Sequence, residues 1–263
     1  MFYRTEKKSI INIDKKEVAL SPKSSQKSSK RTFNSLCKKA DKLRLENLHK
    51  EAISHYLNAI LIDRSNANSY LGLGICYKHL EKYPQAIKYL EKATEIEPDF
   101  YEAYYELGVC HLLEGIPCGA IKNFVQAIQI NPENPDAILQ LGISHELCEE
   151  YDMALMIYQK LIENSPKFIK AYEHKSTLLM KLDNYKEASL LLNQVIKLNP
   201  DYYRAYLGIA TCFDKLGRRV DAQRYYRKFL IKKPNSHQAP FVKARLEKLK
   251  SLSQKNTSLN LIN

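Results

Sequence analysis

Six alanines stand 34 residues apart, at Ala52, Ala86, Ala120, Ala154, Ala188 and Ala222. Pro98, Pro132, Pro166, Pro200 and Pro234 keep the same step, and so do Gly74, Gly108 and Gly142. Three residue types held in one register through most of a 263-residue chain mean an array of one repeated unit. A unit this short cannot bury its apolar face alone, so each copy must stack on the next.

The unit reads as a helical hairpin. From Ala67 to Phe100, Tyr70, Leu73, Gly74 and Tyr77 recur at the spacing of one helix face. A short break follows. Pro84 opens a second helix, where its missing N–H costs nothing. Ala86, Leu90, Ala93 and Ile96 form the second stripe, and Pro98 ends it. Gly74 and Ala86 are small because two antiparallel helices approach closely only where neither carries bulk; Tyr70, Leu73, Tyr77 and Leu90 fill the space around them.

These residues resemble the tetratricopeptide repeat, whose signature is an aromatic, Leu-Gly, an aromatic, Ala, a large apolar residue, Ala and Pro. The second unit matches as Tyr70, Leu73-Gly74, Tyr77, Ala86, Leu90, Ala93 and Pro98, and the third as Tyr104, Leu107-Gly108, His111, Ala120, Phe124, Ala127 and Pro132. A weaker first unit keeps Ala40, Ala52, Tyr56 and Ala59 but has Arg64 in place of proline. The resemblance implies an all-α, right-handed superhelical solenoid of about six hairpins: 33–66, 67–100, 101–134, 135–168, 169–202 and 203–236. Residues 237–252 are expected to form a capping helix, with Ser236 as its cap and Val242, Leu246 and Leu249 on its apolar face. Residues 1–32 are expected to be a disordered, basic, Ser/Lys-rich tail, and 253–263 to fray.

Several classes fall away. No run of about 18 apolar residues exists to span a membrane. His145-Glu146-Leu147-Cys148-Glu149 begins like a zinc-protease motif but has Glu149 where the second histidine belongs. Gly72-Leu73-Gly74 lies in a helix and lacks the third glycine and preceding strand of a nucleotide loop. No catalytic residue, cofactor or metal site is expected. Of six cysteines, Cys76, Cys110 and Cys212 share one interior repeat position; Cys37, Cys118 and Cys148 have no evident partner spacing. Reduced cysteines point to the cytoplasm or another reducing compartment.

Charge is unevenly spread. The net +12 divides into +6 over residues 1–32, +2 over 33–66, −8 over 67–168 and +11 over 169–250, with Lys255 adding the last positive charge. Arg218, Arg219, Arg224, Arg227, Lys228, Lys232 and Lys233 crowd the last unit. That face is either a solvated surface or a site for RNA or an acidic partner.

The resemblance further implies that the first helix of each unit lines a concave groove. The groove positions in units two to four supply Leu71, Ile75, Tyr105, Val109, Leu112, Leu139 and Ile143, with Glu102, Glu106 and Asp136 as an acidic rim. They would either pack between neighbouring helices or hold a peptide with apolar anchors and basic flanks. The cation set of the chaperone-binding carboxylate clamp is missing, since Glu102 and Glu106 stand where cations are required. The expected role is a non-enzymatic adaptor, scaffold or assembly factor that binds a protein partner. Binding of RNA or an acidic partner at the basic C-terminal face is the alternative.

Overall fold

A computed structural model describes residues 22–259, with the side chains of residues 28–251. The described residues form thirteen helices in consecutive pairs. These are α1 (Pro22–Leu45) with α2 (His49–Ile62), α3 (Ala67–His79) with α4 (Tyr83–Ile96), and α5 (Tyr101–Glu114) with α6 (Pro117–Ile130). Then come α7 (Pro135–Leu147) with α8 (Tyr151–Asn164), α9 (Ile169–Lys181) with α10 (Tyr185–Leu198), α11 (Tyr203–Lys215) with α12 (Arg219–Lys232), and the closing α13 (Ala239–Leu259). The repeat period is kept in the helices themselves: α3, α5, α7, α9 and α11 start 34 residues apart, as do the six even-numbered helices from α2 to α12. Each helix packs against the one before and the one after, and from α1 to α9 successive odd-numbered helices also touch. That stacking makes a superhelical all-α solenoid.

The repeat's small residues have visible causes. A Cβ added to Gly74 would fall 2.5 Å from Leu90 Cγ, one added to Gly108 would fall 2.6 Å from Phe124, and one added to Gly142 would fall 2.4 Å from Tyr158. Each glycine therefore makes room for the large residue of its own hairpin's second helix. The alanines at the 34-residue step, Ala52 through Ala222, are fully buried. Every hairpin turn carries one left-handed residue at a fixed place: Asn47, Glu81, Gly115, Glu149, Asp183 and Gly217, with φ between 58° and 82°. Asn66, Asn134 and Asn184 cap helices with their side-chain oxygens.

Two expected boundaries shift. Helix α1 begins at Pro22, inside the stretch expected to be disordered. Lys, Gln and Arg are good helix formers, and once the first hairpin nucleates a helix each added residue gains one hydrogen bond. The hydroxyl of Thr32 bonds back to the Ser28 carbonyl at 3.0 Å in this extension. At the other end α13 runs past Leu252 to Leu259, since no Gly or Pro follows Pro240 of its first turn. Residues 1–21 and 260–263 of the expected tails lie outside the described residues. Ser236 accepts the N–H of Gln238 at 3.2 Å, and Val242, Leu246 and Leu249 are buried against the last hairpin.

Candidate functional site

The face built by the odd-numbered helices carries two recesses at equivalent places in the repeat. One, of about 250 Å³, lies between α1 and α3 and is lined by Cys37, Asp41, Arg44, Asn68, Leu71, Gly72 and Ile75, with Tyr56 as its floor. The other, of about 450 Å³, lies between α9 and α11 and is lined by Glu173, Thr177, Met180, Arg204, Gly208 and Thr211, with Leu192 as its floor. Both open where a glycine occupies the sixth place of the unit. A Cβ on Gly72 would meet Tyr56 Cζ at 2.3 Å, and one on Gly208 would meet Leu192 Cδ1 at 2.7 Å. The same place holds Lys38, Glu106, Gln140 and His174 in the other units. The first recess is polar at its base: the Tyr56 hydroxyl donates to Asp41 at 2.6 Å and accepts from Arg44 Nε at 3.2 Å.

The apolar residues of this face divide into two groups. Leu139 is only 3% exposed and belongs to the core with Tyr158 and Leu161, so it offers no surface. This corrects its placement in an open groove: the helix α7 face that carries it turns into the seam with α8 and α9. Ile143 packs against the same cluster, and Leu71 against the cores of units two and three, each keeping part of its surface. Ile75, Tyr105, Val109 and Leu112 are half-buried. The Tyr105 ring stacks on Tyr101 at 6.1 Å and meets Phe124 edge-on at 5.8 Å. Burial, with Asp136 and Glu106 nearby, pushes its hydroxyl pKa up.

The acidic rim is largely neutralised from within. Glu106 pairs with Lys78 of the preceding unit at 2.5 Å, and Asp136 with Lys170 of the following unit at 3.2 Å. Glu102 stays exposed. At the basic end, cations lie over rings: Arg218 over Phe213 at 4.5 Å, Lys228 and Arg224 over Tyr225 at 5.1 and 6.0 Å, and Lys233 over Tyr203 at 5.8 Å. Arg218 also pairs with Asp221, Lys232 pairs with Asp201, and Arg227 bonds Gln223. Arg219 opens α12. Phe213, Tyr225 and Tyr203 thus lie under the basic cluster.

Three arrangements had no sequence signal. The Cys118 and Cys148 sulfurs lie 3.2 Å apart, although their spacing matches no repeat step. Arg245 of α13 makes a two-pronged bond to Asp214, both contacts at 2.6 Å. His49 and His79 stack at 4.6 Å, with both pKa values lowered, chiefly by burial.

Three models of the tetratricopeptide repeat match the sequence, at residues 67–100, 136–167 and 179–244, together half of the chain. The chain belongs to the tetratricopeptide repeat family. A search of curated proteins by sequence finds no match. Among solved structures, this tetratricopeptide repeat protein is similar to pilF of Pseudomonas aeruginosa (15% identity, 83% of this chain and 99% of that one, TM-score 0.65). It is also similar to PilW, a type IV pilus biogenesis factor (18%, 80% and 97%, 0.66), and to YrrB, described as having an unusual peptide-binding site (20%, 72% and 97%, 0.58). At these identities the likeness is one of fold. The family and fold are those of protein-interaction scaffolds, which are typically non-catalytic. No helix among the described residues is long and apolar enough to cross a membrane.

Proposed function

We propose that this tetratricopeptide repeat protein is an adaptor whose odd-helix face is a groove for a peptide segment of a partner protein. The observation that carries this reading is the pair of recesses at Gly72 and Gly208, flanking a run of half-buried apolar side chains on α3 and α5. Two pockets at equivalent repeat positions suit anchoring side chains, while Ile75, Tyr105, Val109 and Leu112 supply apolar contact between them. The peptide-binding site named for YrrB supports the same use of the fold. Since Lys78 and Lys170 already neutralise Glu106 and Asp136, the apolar anchors set affinity, and basic flanks add only what Glu102 attracts.

The test is selection from a displayed peptide library, followed by affinity measurement on variants. Ile75→Glu with Val109→Glu is expected to weaken selected peptides about 30-fold or more, since each 1.4 kcal/mol is tenfold. Tyr105→Ala is expected to cost about 2 kcal/mol of binding, as large aromatic anchors do. It is read beside a melting curve, because Tyr105 also packs on Phe124. Leu139 is left alone as a core residue. Arg224→Glu with Arg227→Glu should change binding little, and mainly at low salt. The reverse ranking would move the site to the cations over Phe213, Tyr225 and Tyr203, and nuclease treatment of captured material would then separate RNA from an acidic protein.

A further inference from the structure

Cys118 and Cys148 bring two thiols together where the third hairpin meets the fourth. Cys118 is the second residue of α6 and exposed; Cys148 is the C-terminal cap of α7 and half-buried. Their sulfurs are 3.2 Å apart. The other four cysteines differ: Cys76, Cys110 and Cys212 are buried in the core, and Cys37 faces the Ser69 hydroxyl at 3.5 Å. The core cysteines act as small apolar residues. Cys118 and Cys148 lie outside that buried core, and the exposed Cys118 lets an oxidant reach the pair.

We propose that Cys118 and Cys148 form an oxidisable dithiol, modified by a hydroperoxide to an intramolecular disulfide that ties hairpin three to hairpin four. Closure needs the sulfurs to approach by roughly 1.1 Å to a bond of about 2.05 Å. Rotation of the exposed Cys118 side chain supplies that approach. The order of events follows from exposure. Burial, and then the contact from Cys118, push the Cys148 thiol up to about 11, so Cys148 stays protonated at neutral pH. Cys118 is the thiol open to solvent. Its thiolate attacks the peroxide, the O–O bond breaks, and Cys118 becomes a sulfenic acid with loss of one water from hydrogen peroxide. The Cys148 sulfur then attacks the Cys118 sulfur; the S–O bond breaks and a second water leaves, carrying the Cys148 proton. Two thiols give up two electrons, and one hydrogen peroxide becomes two waters.

The experiment uses the full chain, reduced and then treated with near-stoichiometric hydrogen peroxide. It is then unfolded, alkylated and read by mass spectrometry. The expected result is a mass loss of two hydrogens, alkylation of four of the six thiols, and one peptide pair joined through Cys118 and Cys148. The melting temperature should rise by several degrees and return on reduction, because the cross-link restricts the unfolded chain. In Cys148→Ser, Cys118 should persist as a sulfenic acid trapped by a dimedone probe; in Cys118→Ser, Cys148 should stay alkylatable. Melting of the reduced variants checks that they fold. The proposal is overturned if wild-type Cys118 proceeds to sulfinic acid while Cys148 remains free, or if the main product joins two chains through Cys118.

Discussion

The two ends of the solenoid obey one template and pack differently. From Tyr172 to Leu249 most of the buried apolar side chains form one continuous core through α9–α13. Before it, the same repeat gives four smaller clusters. The cause lies at two signature positions that vary from unit to unit. The twenty-seventh place reads Ala59, Ala93, Ala127, Leu161, Val195 and Phe229, all fully buried; of the three large residues, Val195 and Phe229 belong to the continuous core and Leu161 to the smaller cluster before it. The eleventh place reads Leu43, Tyr77, His111 and His145, then Leu179 and Phe213, and the last two are buried in the continuous core. Larger apolar groups there bridge from one hairpin to the next. Charge changes over the same boundary, from −8 across residues 67–168 to +11 across 169–250. The repeat signature thus fixes the hairpin, while departures from it at these two places decide how strongly hairpins couple.

The sharpest way to break this comparison is Phe229→Ala, which gives the last unit the alanine of the first three. A fully buried Phe→Ala change should cost about 3–5 kcal/mol. Hydrogen exchange should show α9 to α13 losing protection together while α3 to α6 keep theirs. Phe124→Ala removes an equally buried ring but should open only unit three and its neighbours. Equal spread from both variants would mean that the continuous core confers no extra coupling. Ala120→Leu adds bulk at a fully buried site of α6 and should cost on the order of 1–3 kcal/mol. Its loss of protection should likewise stay near unit three, and an unchanged melting curve would contradict the packing described for that alanine.

How much of this was legible in the sequence depends on whether a feature repeats. Gly74, Gly108 and Gly142 recur, and each proved to sit under the large residue of its own hairpin. Gly72 and Gly208 share a place that four other units fill with bulk, so no period advertised the recesses they open. Leu139 looked like a groove residue by register, yet it is buried in the seam with α8 and α9. Cys118 and Cys148 meet across two units at a spacing of 30, which belongs to no helix face and no repeat step. Arg245 lies beyond the repeats, and only the docking of α13 shows that it turns inward to Asp214.

That docking gives the comparison a pH-dependent arm. The Arg245 guanidinium, with Tyr226 also donating to the carboxylate, holds Asp214 below the usual carboxylate range, although burial opposes this. A carboxyl lowered on folding stabilises the fold above its unfolded value, near pH 4, and loses that contribution as pH falls through the lower folded value. Asp214 is 11% and Arg245 31% exposed, so the pair is expected to contribute about 1–2 kcal/mol. Arg245→Met should remove that much at pH 7 and much less at pH 2, with α13 losing exchange protection first. A difference between wild type and variant that does not shrink on acidification would show that the loss at pH 7 comes from packing. Asp136 and Lys170, an exposed pair in the middle of the array, should show a far smaller effect under Lys170→Met.

The smallest expected effect concerns the turns, where units four and six differ. The left-handed residue is Glu81 in unit two and Glu149 in unit four, but Asp183 and Gly217 in units five and six. A glutamate Cβ crowds its own carbonyl at positive φ, and nothing in its side chain relieves this as an aspartate or asparagine can. Gly115 and Gly217 avoid the cost and have open space around them. Glu149→Gly should therefore stabilise unit four by up to about 1 kcal/mol, the relieved strain being partly offset by the greater freedom of glycine in the unfolded chain. Gly217→Ala should destabilise unit six by a similar amount, for the converse reason. In the weakly coupled middle, the gain from Glu149→Gly should appear as slower exchange in α7 and α8 with almost no change in the melting of α9 to α13. In the continuous C-terminal core, the loss from Gly217→Ala should spread to α9 and α13. If both changes stay equally local, the continuous core of α9 to α13 confers no extra coupling along this array.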